Sequence, residues 1–350
     1  MWSKVASVLI LILIVCISMY FGGHGLTYSF FTLILLMLGQ APTQRCMFLS
    51  KKYERAVLVT GCDSGFGYRL AKTLDSMGFV VFAGCLSSNG QGAQTLLKEG
   101  SRHLKLLQLD VTRDEDVRLA KAFVEANLPE KGLWAVVNNA GISDWGETEW
   151  NSIEDYQKMV DINLFGSIRT SIAFLPLVRA SKGRMVFVSS IFAFFNCLSM
   201  GAYSVSKRGL EAFADCLRVE LSNFDVKVSI IQPGNFGPAT NIRSKKTTQE
   251  IWDKLDDERK VTFSRSYIEF ANEYFQSLCS AGFKDSRMVI DAMVHALNAA
   301  QPKSHYLLVS TVEWVFFLVF PLLPTFIKDA IFTYTPIYHK RREILSQQKQ

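Results

Sequence analysis

Short apolar segments that alternate with helix-length segments occupy the middle of this 350-residue chain. Stretches long enough for helices, such as residues 68–77 and 115–127, lie between them. This regular alternation predicts an α/β fold with a doubly wound parallel sheet of the Rossmann type. Ligands bind such sheets at the carboxyl ends of the strands, near the point where the strand order reverses. The predicted strands are residues 56–60, 80–83, 104–109, 135–138, 184–189 and 226–231.

A glycine-rich turn follows the first predicted strand and opens a helix. Gly61 permits a tight turn, Gly65 lets the backbone approach a pyrophosphate, and Gly67 lets the helix pack closely on the sheet. The helix N-terminus offers free N–H donors to phosphate groups. The turn therefore predicts a dinucleotide site, and its sequence is Thr60-Gly61-Cys62-Asp63-Ser64-Gly65-Phe66-Gly67.

Tyr203 and Lys207 are four residues apart and share one face of a predicted helix. A nearby ammonium stabilises a phenolate, so we expect Lys207 to lower the pKa of Tyr203 and to let it exchange protons near neutral pH. Ser190 follows the strand 184–189, where its hydroxyl can hold a reacting oxygen beside Tyr203. A Tyr–Lys pair alone also arises by chance, and Ser190 makes the catalytic interpretation the better one.

The order of the motifs along residues 52–240 resembles the short-chain dehydrogenase/reductase family. Besides the turn and the Tyr–Lys pair, it includes Asn163 and two short sequences that follow strands, Asn138-Asn139-Ala140-Gly141 and Pro233-Gly234.

The resemblance implies a role for each catalytic position. Tyr203 would be the general acid and base, and Lys207 would hold the nicotinamide ribose and tune Tyr203. Ser190 would orient the substrate oxygen, and Asn163 would support a proton-relay water. Asp110 would reach the adenine. The expected cofactor-binding residues are Gly61, Asp63, Ser64, Gly65, Phe66, Gly67, Asp110, Asn139, Ala140, Gly141, Tyr203, Lys207, Pro233 and Gly234.

The region after the second strand favours NAD over NADP as the cofactor. Residues 82–88 contain no basic side chain for a 2′-phosphate, and Asp63 would repel that phosphate. The acidic residue that commonly binds the NAD ribose is also missing, since Cys85 and Leu86 stand in its place.

Both ends of the chain are apolar. Residues 5–21 are uncharged and long enough to cross a bilayer, and a second apolar stretch covers residues 26–38. We expect a retained anchor, as one span or a hairpin, rather than a cleaved signal peptide or a mitochondrial presequence. The basic residues between 45 and 55 favour a cytosolic position for the segment that follows.

Residues 314–338 are rich in aromatics and contain three prolines. This segment is either an interfacial or lid element, or it packs on the core. The predicted organisation is therefore an anchor region at 1–50, a catalytic domain at 51–300 with a substrate lid at about 235–282, and an apolar extension with a polar tail at 301–350.

Composition excludes several classes of site. The seven cysteines are odd in number, show no Cys-x-x-Cys spacing and lack a histidine cluster, so we expect no metal site and no disulfide framework. The net charge of +6 is spread along the chain, without the basic stripe of a nucleic-acid binder. It suits an anionic lipid surface better.

Within the family, parts of the sequence resemble two different groups of enzymes. Residues 56–67 and 233–236 resemble mitochondrial D-β-hydroxybutyrate dehydrogenase, whereas residues 74–79 and 132–134 resemble the type 2 hydroxysteroid and retinol dehydrogenases equally well. An anchored enzyme meets a sterol or retinoid in the bilayer, and Phe192, Phe194 and Phe195 either suit a lipophilic ligand or pack in the core.

We therefore predict an NAD-dependent oxidoreductase that interconverts a lipophilic secondary alcohol, of steroid or retinoid type, and its carbonyl in the endoplasmic reticulum membrane. The alternative is a D-3-hydroxybutyrate dehydrogenase of a mitochondrial membrane, in which Arg243 or Lys245 would pair with the substrate carboxylate. A hypothesis of a different class is a non-catalytic, dinucleotide-binding membrane scaffold. The family resemblance also implies a homo-oligomer, a dimer or a tetramer.

Overall fold

The computed structural model describes residues 54–195, 197–243 and 246–347. Seven strands of this part form one parallel sheet in the order β3-β2-β1-β4-β5-β6-β7, which is a Rossmann-type α/β fold. The order reverses between β1 and β4, and this is where the sequence places its motifs. The strands are β1 (Ala56–Thr60), β2 (Val80–Cys85), β3 (Leu104–Gln108), β4 (Leu133–Asn138), β5 (Arg184–Val188), β6 (Lys227–Pro233) and β7 (His305–Leu308).

Helices connect the strands and continue beyond them. Up to β6 they are α1 (Gly65–Ser76), α2 (Gln91–Glu99), α3 (Asp114–Ala126), α4 (Ile153–Val160), α5 (Gly166–Ala180) and α6 (Gly201–Glu220). Between β6 and β7 they are α7 (Thr248–Lys254), α8 (Asp257–Thr262), α9 (Arg265–Ser280) and α10 (Arg287–Asn298). After β7 they are α11 (Thr311–Val319), α12 (Thr325–Thr333) and α13 (Pro336–Gln347).

The central strands are buried on both faces, and helices therefore cover both sides of the sheet. Every residue of β1, β2, β4 and β5 is buried, as expected for parallel strands with continuous apolar runs. Side chains alternate along β1: Val57 and Val59 face a core with α1 and α10, while Leu58 faces a core with α3, α5 and α6.

The strand β7 was not predicted from the sequence. Its segment is only four residues long and begins at His305, and its apolar side chains are too few to give a recognisable period. It pairs with β6 from Ile230↔His305 to Pro233↔Leu308, so the sheet includes residues beyond position 300, in the part that we had assigned to the extension.

A third apolar cluster contains Tyr203 and joins it to the segment between β4 and α4 and to helices α7 and α9. Within this cluster, Trp145 stacks on Phe275 at 4.5 Å between ring centroids, and Trp150 meets Tyr267 edge to face. The segment predicted as a substrate lid thus forms helices that pack next to Tyr203.

The C-terminal extension packs on the loop that precedes α6. Phe195 of that loop makes ring contacts with four aromatic side chains of the extension, Phe316, Phe317, Phe320 and Phe332. Other apolar side chains of the extension are exposed, among them Val312 and Leu322. The extension therefore contacts the core on one side and presents apolar groups to the outside on another.

Among the described residues, no helix combines the length and the apolar character that a bilayer crossing requires. The anchor predicted for residues 1–50 lies outside the described residues.

Candidate active site

The turns after β1 and β4 are tied together at the point where the strand order reverses. The Oγ1 of Thr60 accepts the N–H groups of Asn139 and Ala140, at 3.0 and 2.9 Å. The Nδ2 of Asn139 donates to the carbonyl oxygens of Thr60 and Gly61, at 2.8 and 3.2 Å. This reciprocal pairing fixes the two turns that border the expected dinucleotide site.

The glycines of the first turn have distinct structural roles. Gly61 and Gly65 adopt φ angles of +70° and +60°, which disfavour residues with a side chain. A Cβ on Gly67 would lie within 2.6 Å of Nδ2 of Asn139 and closer still to the carbonyl oxygen of Gly61. Helix α1 begins at Gly65, three residues earlier than predicted, and the Ser64 side chain does not cap it. Its first N–H groups therefore remain available for an anion.

A cavity of about 330 Å³, here called the cofactor cavity, opens above these turns. The side chain of Asp63 accepts the backbone N–H groups of Leu86 and Ser87, at 2.8 and 3.1 Å, directly after β2. Asp110 instead accepts the N–H and hydroxyl of Thr112. The predicted residues that line the cavity are Gly61, Asp63, Ser64, Gly65, Phe66, Asp110, Asn139, Ala140 and Gly141; Gly67 supports it from behind.

The Tyr203 phenol and the Ser190 hydroxyl are brought together at the carboxyl edge of the sheet. Ser190 follows β5, Tyr203 lies in the first turn of α6, and both side chains line the same small cavity. The Nζ of Lys207 lies 5.7 Å from the Tyr203 ring centroid and donates to the carbonyl oxygen of Val188 at 2.8 Å. All three predicted side chains are buried.

A smaller cavity, here called the reaction chamber, adjoins Tyr203 and has a volume of about 70 Å³. It shares Phe66, Asn139, Thr240 and Ile242 with the cofactor cavity, so the two adjoin each other. Its lining residues that were predicted from the sequence are Phe66, Asn139, Ser190, Tyr203, Lys207, Pro233 and Gly234.

Asn163 lies behind these residues in a π-helical turn, Asp161–Phe165, between α4 and α5. Its side chain is fully buried: Oδ1 accepts the N–H of Ile142 at 2.8 Å, while Nδ2 donates to the Ile142 carbonyl and to the Ser206 hydroxyl, at 2.9 and 3.0 Å. These bonds connect the segment after β4 with α6. Asn163 therefore holds Gly141 and Lys207 in their relative positions.

The ionisation of the site differs from the prediction that Lys207 lowers the pKa of Tyr203. Burial is the dominant influence and raises the pKa of Tyr203 to about 12, although the hydrogen bond from Ser190 and the charge of Arg243 act in the opposite direction. Burial also lowers the pKa of Lys207 to about 8, against the charge of Glu211. The expectation was wrong, because desolvation outweighs the opposing effects of Ser190 and Arg243.

Two further residues lie near this site: Glu211, which the sequence analysis does not name, and Arg243, which it offers only as a partner for a substrate carboxylate. Glu211 lies one turn after Lys207 on α6 and accepts a hydrogen bond from Nε2–H of Gln232 at 2.9 Å. Burial raises the pKa of its carboxyl group. Arg243 lines the reaction chamber with Tyr203. The four-residue spacing from Lys207 to Glu211 is a signal that sequence analysis can use, whereas Arg243 lies forty residues from Tyr203 and has no such signal.

Comparison with known proteins agrees with this geometry. The sequence model of the family described as short chain dehydrogenase matches residues 55–251. The chain is 41% identical to the mitochondrial D-beta-hydroxybutyrate dehydrogenase of Rattus norvegicus, over 79% of this chain and 83% of that protein. It is 39% identical to retinol dehydrogenase 16 of Mus musculus, over 83% of this chain and 91% of that protein.

A solved structure shares this fold. A short-chain dehydrogenase from Streptomyces avermitilis superposes with a TM-score of 0.59 at 22% identity, and the match covers 75% of this chain and 91% of that one. The family match, the sequence identities and the position of the motifs at one edge of the sheet agree. The chain therefore belongs to the short-chain dehydrogenase family, in the branch of the hydroxybutyrate and retinol dehydrogenases, and is an NAD(P)-dependent oxidoreductase that acts on CH–OH groups.

Proposed function

We propose that this enzyme uses NAD to interconvert a secondary alcohol and its carbonyl, with Tyr203 as the group that exchanges the proton. The observation that carries the proposal is that Tyr203 and Ser190 are both buried and together line a chamber that adjoins the cofactor cavity. When bound, the oxidised nicotinamide accepts the hydride from the alcohol carbon.

Each neighbouring side chain has a separate task in this proposal. The Ser190 hydroxyl orients the substrate oxygen towards Tyr203. Lys207, one turn along α6, binds the nicotinamide ribose and adds positive charge near the phenol. Asn163 fixes the segment that follows β4 against helix α6, and it supports the water that relays the proton.

The phenol is protonated at neutral pH, since burial raises the pKa of Tyr203 to about 12. This is the form that donates a proton during carbonyl reduction. Oxidation of an alcohol needs the phenolate, so we expect its rate to rise with pH. Binding of a positively charged nicotinamide would favour the phenolate and shift that rise to lower pH.

NAD is favoured over NADP by the position of Asp63. Its carboxylate is held at the end of β2 by two backbone N–H groups, at the place where the adenosine ribose binds in such folds. A 2′-phosphate there would meet a fixed negative charge. We expect Asp63→Asn, which keeps the shape of the side chain, to raise kcat/KM for NADP relative to NAD; an unchanged ratio would contradict this electrostatic argument.

A lipophilic substrate is the first choice for the alcohol. Phe192 lies on the wall of the chamber, with its ring edge-to-face against Tyr203 at 6.0 Å. Several relatives are named retinol dehydrogenases. Residues 1–50 would anchor the enzyme in the endoplasmic reticulum membrane. The catalytic domain would begin at residue 51 and include β7, with residues 235–282 covering the substrate, and the enzyme would be a homo-oligomer.

D-3-hydroxybutyrate is the second candidate, and Arg243 is the observation that favours it. This cation lines the chamber beside Tyr203, where a substrate carboxylate could bind. Relatives with 41% identity carry the name D-beta-hydroxybutyrate dehydrogenase. A mitochondrial membrane would then be the location.

The test is NADH formation by the detergent-solubilised full chain with estradiol, testosterone, corticosterone, retinol and D-3-hydroxybutyrate. We expect turnover of at least one of these alcohols. Tyr203→Phe should lower kcat by about 10²- to 10⁴-fold and leave NADH binding, measured by fluorescence, unchanged. Retained turnover in Tyr203→Phe would refute the mechanism, and NADH binding without turnover of any alcohol would favour the scaffold hypothesis.

A further inference from the structure

The side chain of Glu147 is a mostly buried carboxylate that receives hydrogen bonds from three separate parts of the chain. Its Oε1 accepts the hydroxyl groups of Tyr267 on α9, at 2.6 Å, and of Ser199 in the loop before α6, at 3.3 Å. Its Oε2 accepts an N–H of Arg341 on α13, also at 2.6 Å. One carboxylate therefore joins the segment after β4 to three elements that are distant from it in sequence.

Arg341 supplies the counter-charge for this carboxylate. Among the described residues it alone forms an ion pair with Glu147, and the exposed fractions of the two side chains are only 20% and 12%. A carboxylate in such a place is stable when it is paired and hydrogen-bonded, because the protein interior solvates charge poorly. The guanidinium also lies over the ring of Tyr267, with Cζ 5.9 Å from the ring centroid. The C-terminal helix α13 therefore contacts both the carboxylate and the phenol that the carboxylate binds.

The loop before α6 is fixed at Ser199 by the same carboxylate. Ser199 adopts a φ angle of +60°, a left-handed conformation that residues other than glycine seldom adopt. Its carbonyl oxygen accepts the N–H of Gly146 at 2.9 Å, and its hydroxyl donates to Glu147. Such a conformation persists where the surrounding structure holds it. The loop that leads from Ser190 to Tyr203 is thus attached to the segment after β4.

Helix α9 is attached to that segment at two points. Tyr267 donates to Glu147, and Phe275, two turns further along the helix, stacks on Trp145 at 4.5 Å between ring centroids. Tyr267 is fully buried and belongs to the apolar cluster that contains Tyr203. The position of α9 relative to the catalytic phenol is therefore set by these two contacts.

Helix α9 also forms a wall of a larger cavity of about 860 Å³, here called the outer cavity, to which it contributes Asn272 and Gln276. The outer cavity adjoins the reaction chamber, because both are lined by Gly237, Thr240 and Arg243. Pockets that bury a small molecule hold about 300–1,000 Å³, whereas the reaction chamber holds about 70 Å³. The part of a steroid or retinoid that does not react would therefore lie in the outer cavity, beside α9.

We propose that Glu147 and Arg341 are positioning residues for the substrate, which fix α9 against the segment after β4 and so set the width of the outer cavity. This inference rests on the proposed function and names residues that control its substrate binding. Helix α13 is then part of the substrate site, although none of its described residues lines the reaction chamber or the cofactor cavity. Without Arg341, the unpaired carboxylate would move towards water and release Tyr267 and Ser199 together.

Steady-state kinetics of the full chain with the five alcohols named above test this role. Arg341→Met should raise KM about tenfold or more for each alcohol that the wild type oxidises, and should change kcat by less than about threefold. Titration with NADH counts the folded active sites, so a loss of stability does not imitate this pattern. Glu147→Gln keeps an acceptor for Tyr267 and needs no counter-charge, so adding it to Arg341→Met should restore most of the KM.

Arg342→Met is the matched control, because Arg342 is the exposed neighbour of Arg341 on α13 and its replacement removes the same charge. It should leave KM and kcat unchanged. An unaltered KM in Arg341→Met, a loss confined to kcat, or a double variant with a KM no lower than that of Arg341→Met would each overturn the inference.

Hydrogen exchange separates this inference from the proposed function, since it needs no alcohol. In the NADH complex of the full chain, the amides of α9 should exchange at least about fivefold faster in Arg341→Met than in the wild type or in Arg342→Met. The amides of α10, which packs on α1, should exchange at the same rate in all three proteins. Unchanged exchange of α9 would overturn the inference even if Tyr203 proves essential. Faster exchange of α9, in a protein whose wild type oxidises none of the alcohols, would refute the proposed function and support the attachment of α9 through Arg341.

Discussion

Replacing Lys207 with methionine should abolish catalysis and change how stability depends on pH. The Lys207 side chain is only 2% exposed, and burial lowers its pKa from the usual 10.5 to about 8. The folded state therefore favours the neutral amine. A destabilising contribution is fully present below pH 8 and disappears as pH rises towards 10.5, the value of the unfolded chain.

The size of the effect follows from these two pKa values. At pH 7 the charged amine costs the folded state about 3 kcal/mol, and at pH 9.5 the cost is about 1 kcal/mol. Methionine removes this cost and also the hydrogen bond to the carbonyl oxygen of Val188, whose loss costs about 1–3 kcal/mol at either pH. Between pH 7 and 9.5 the wild type should therefore gain about 2 kcal/mol relative to Lys207→Met.

Urea unfolding of the cofactor-free protein, followed by tryptophan fluorescence at both pH values, measures this difference. Lys98→Met, at an exposed position on α2, is the control and should change little with pH relative to the wild type. A stability gap between wild type and Lys207→Met that stays constant would show that Lys207 is not desolvated as described. A wild type that loses stability relative to Lys207→Met between pH 7 and 9.5 would contradict the expected direction of the change.

Three other substitutions test separate parts of the site. Gly67→Ala would place a methyl group against the carbonyl of Gly61, so we expect NADH affinity, measured by fluorescence titration, to fall at least tenfold. Arg341→Met would leave the Glu147 carboxylate without its ion pair, which is 2.6 Å long and mostly buried. Thermal unfolding should show that the free energy of unfolding falls by about 3 kcal/mol. The double variant with Glu147→Gln should recover part of this loss. Ser190→Ala should lower kcat by about 10²-fold with unchanged NADH binding, in a steady-state assay.

Much of the sheet was predictable because its strands are simple apolar runs. The five residues of β1 match the prediction, since continuous apolar runs that end in a glycine turn have few alternatives. Boundaries moved where a glycine interrupts the apolar run, as in β2, which continues through Gly84 to Cys85. The start of α1 was missed by three residues because glycines, which disfavour helices, occupy its first turn.

The candidate site was predictable in its residues and less so in its electrostatics. Spacing places Tyr203 and Lys207 on one helix face, and strand ends bring Ser190 to them. Spacing says nothing about burial, however, and burial decides the pKa of both groups. Arg243 enters the chamber through a long-range bridge to Ser143, a contact of high sequence separation that no local pattern encodes.

The π-helical turn that carries Asn163 has a consequence for insertions and deletions. It joins α4 and α5 into one continuous helical segment in which five residues, Asp161–Phe165, follow wider geometry. Deleting one residue there would allow a regular α-helix to form without disrupting either neighbour. The wider turn takes up one extra residue, so the helices on either side would keep their orientation and only the side chains within Asp161–Phe165 would shift. A single lost codon could thus leave a folded protein whose buried amide no longer reaches Ile142 and Ser206.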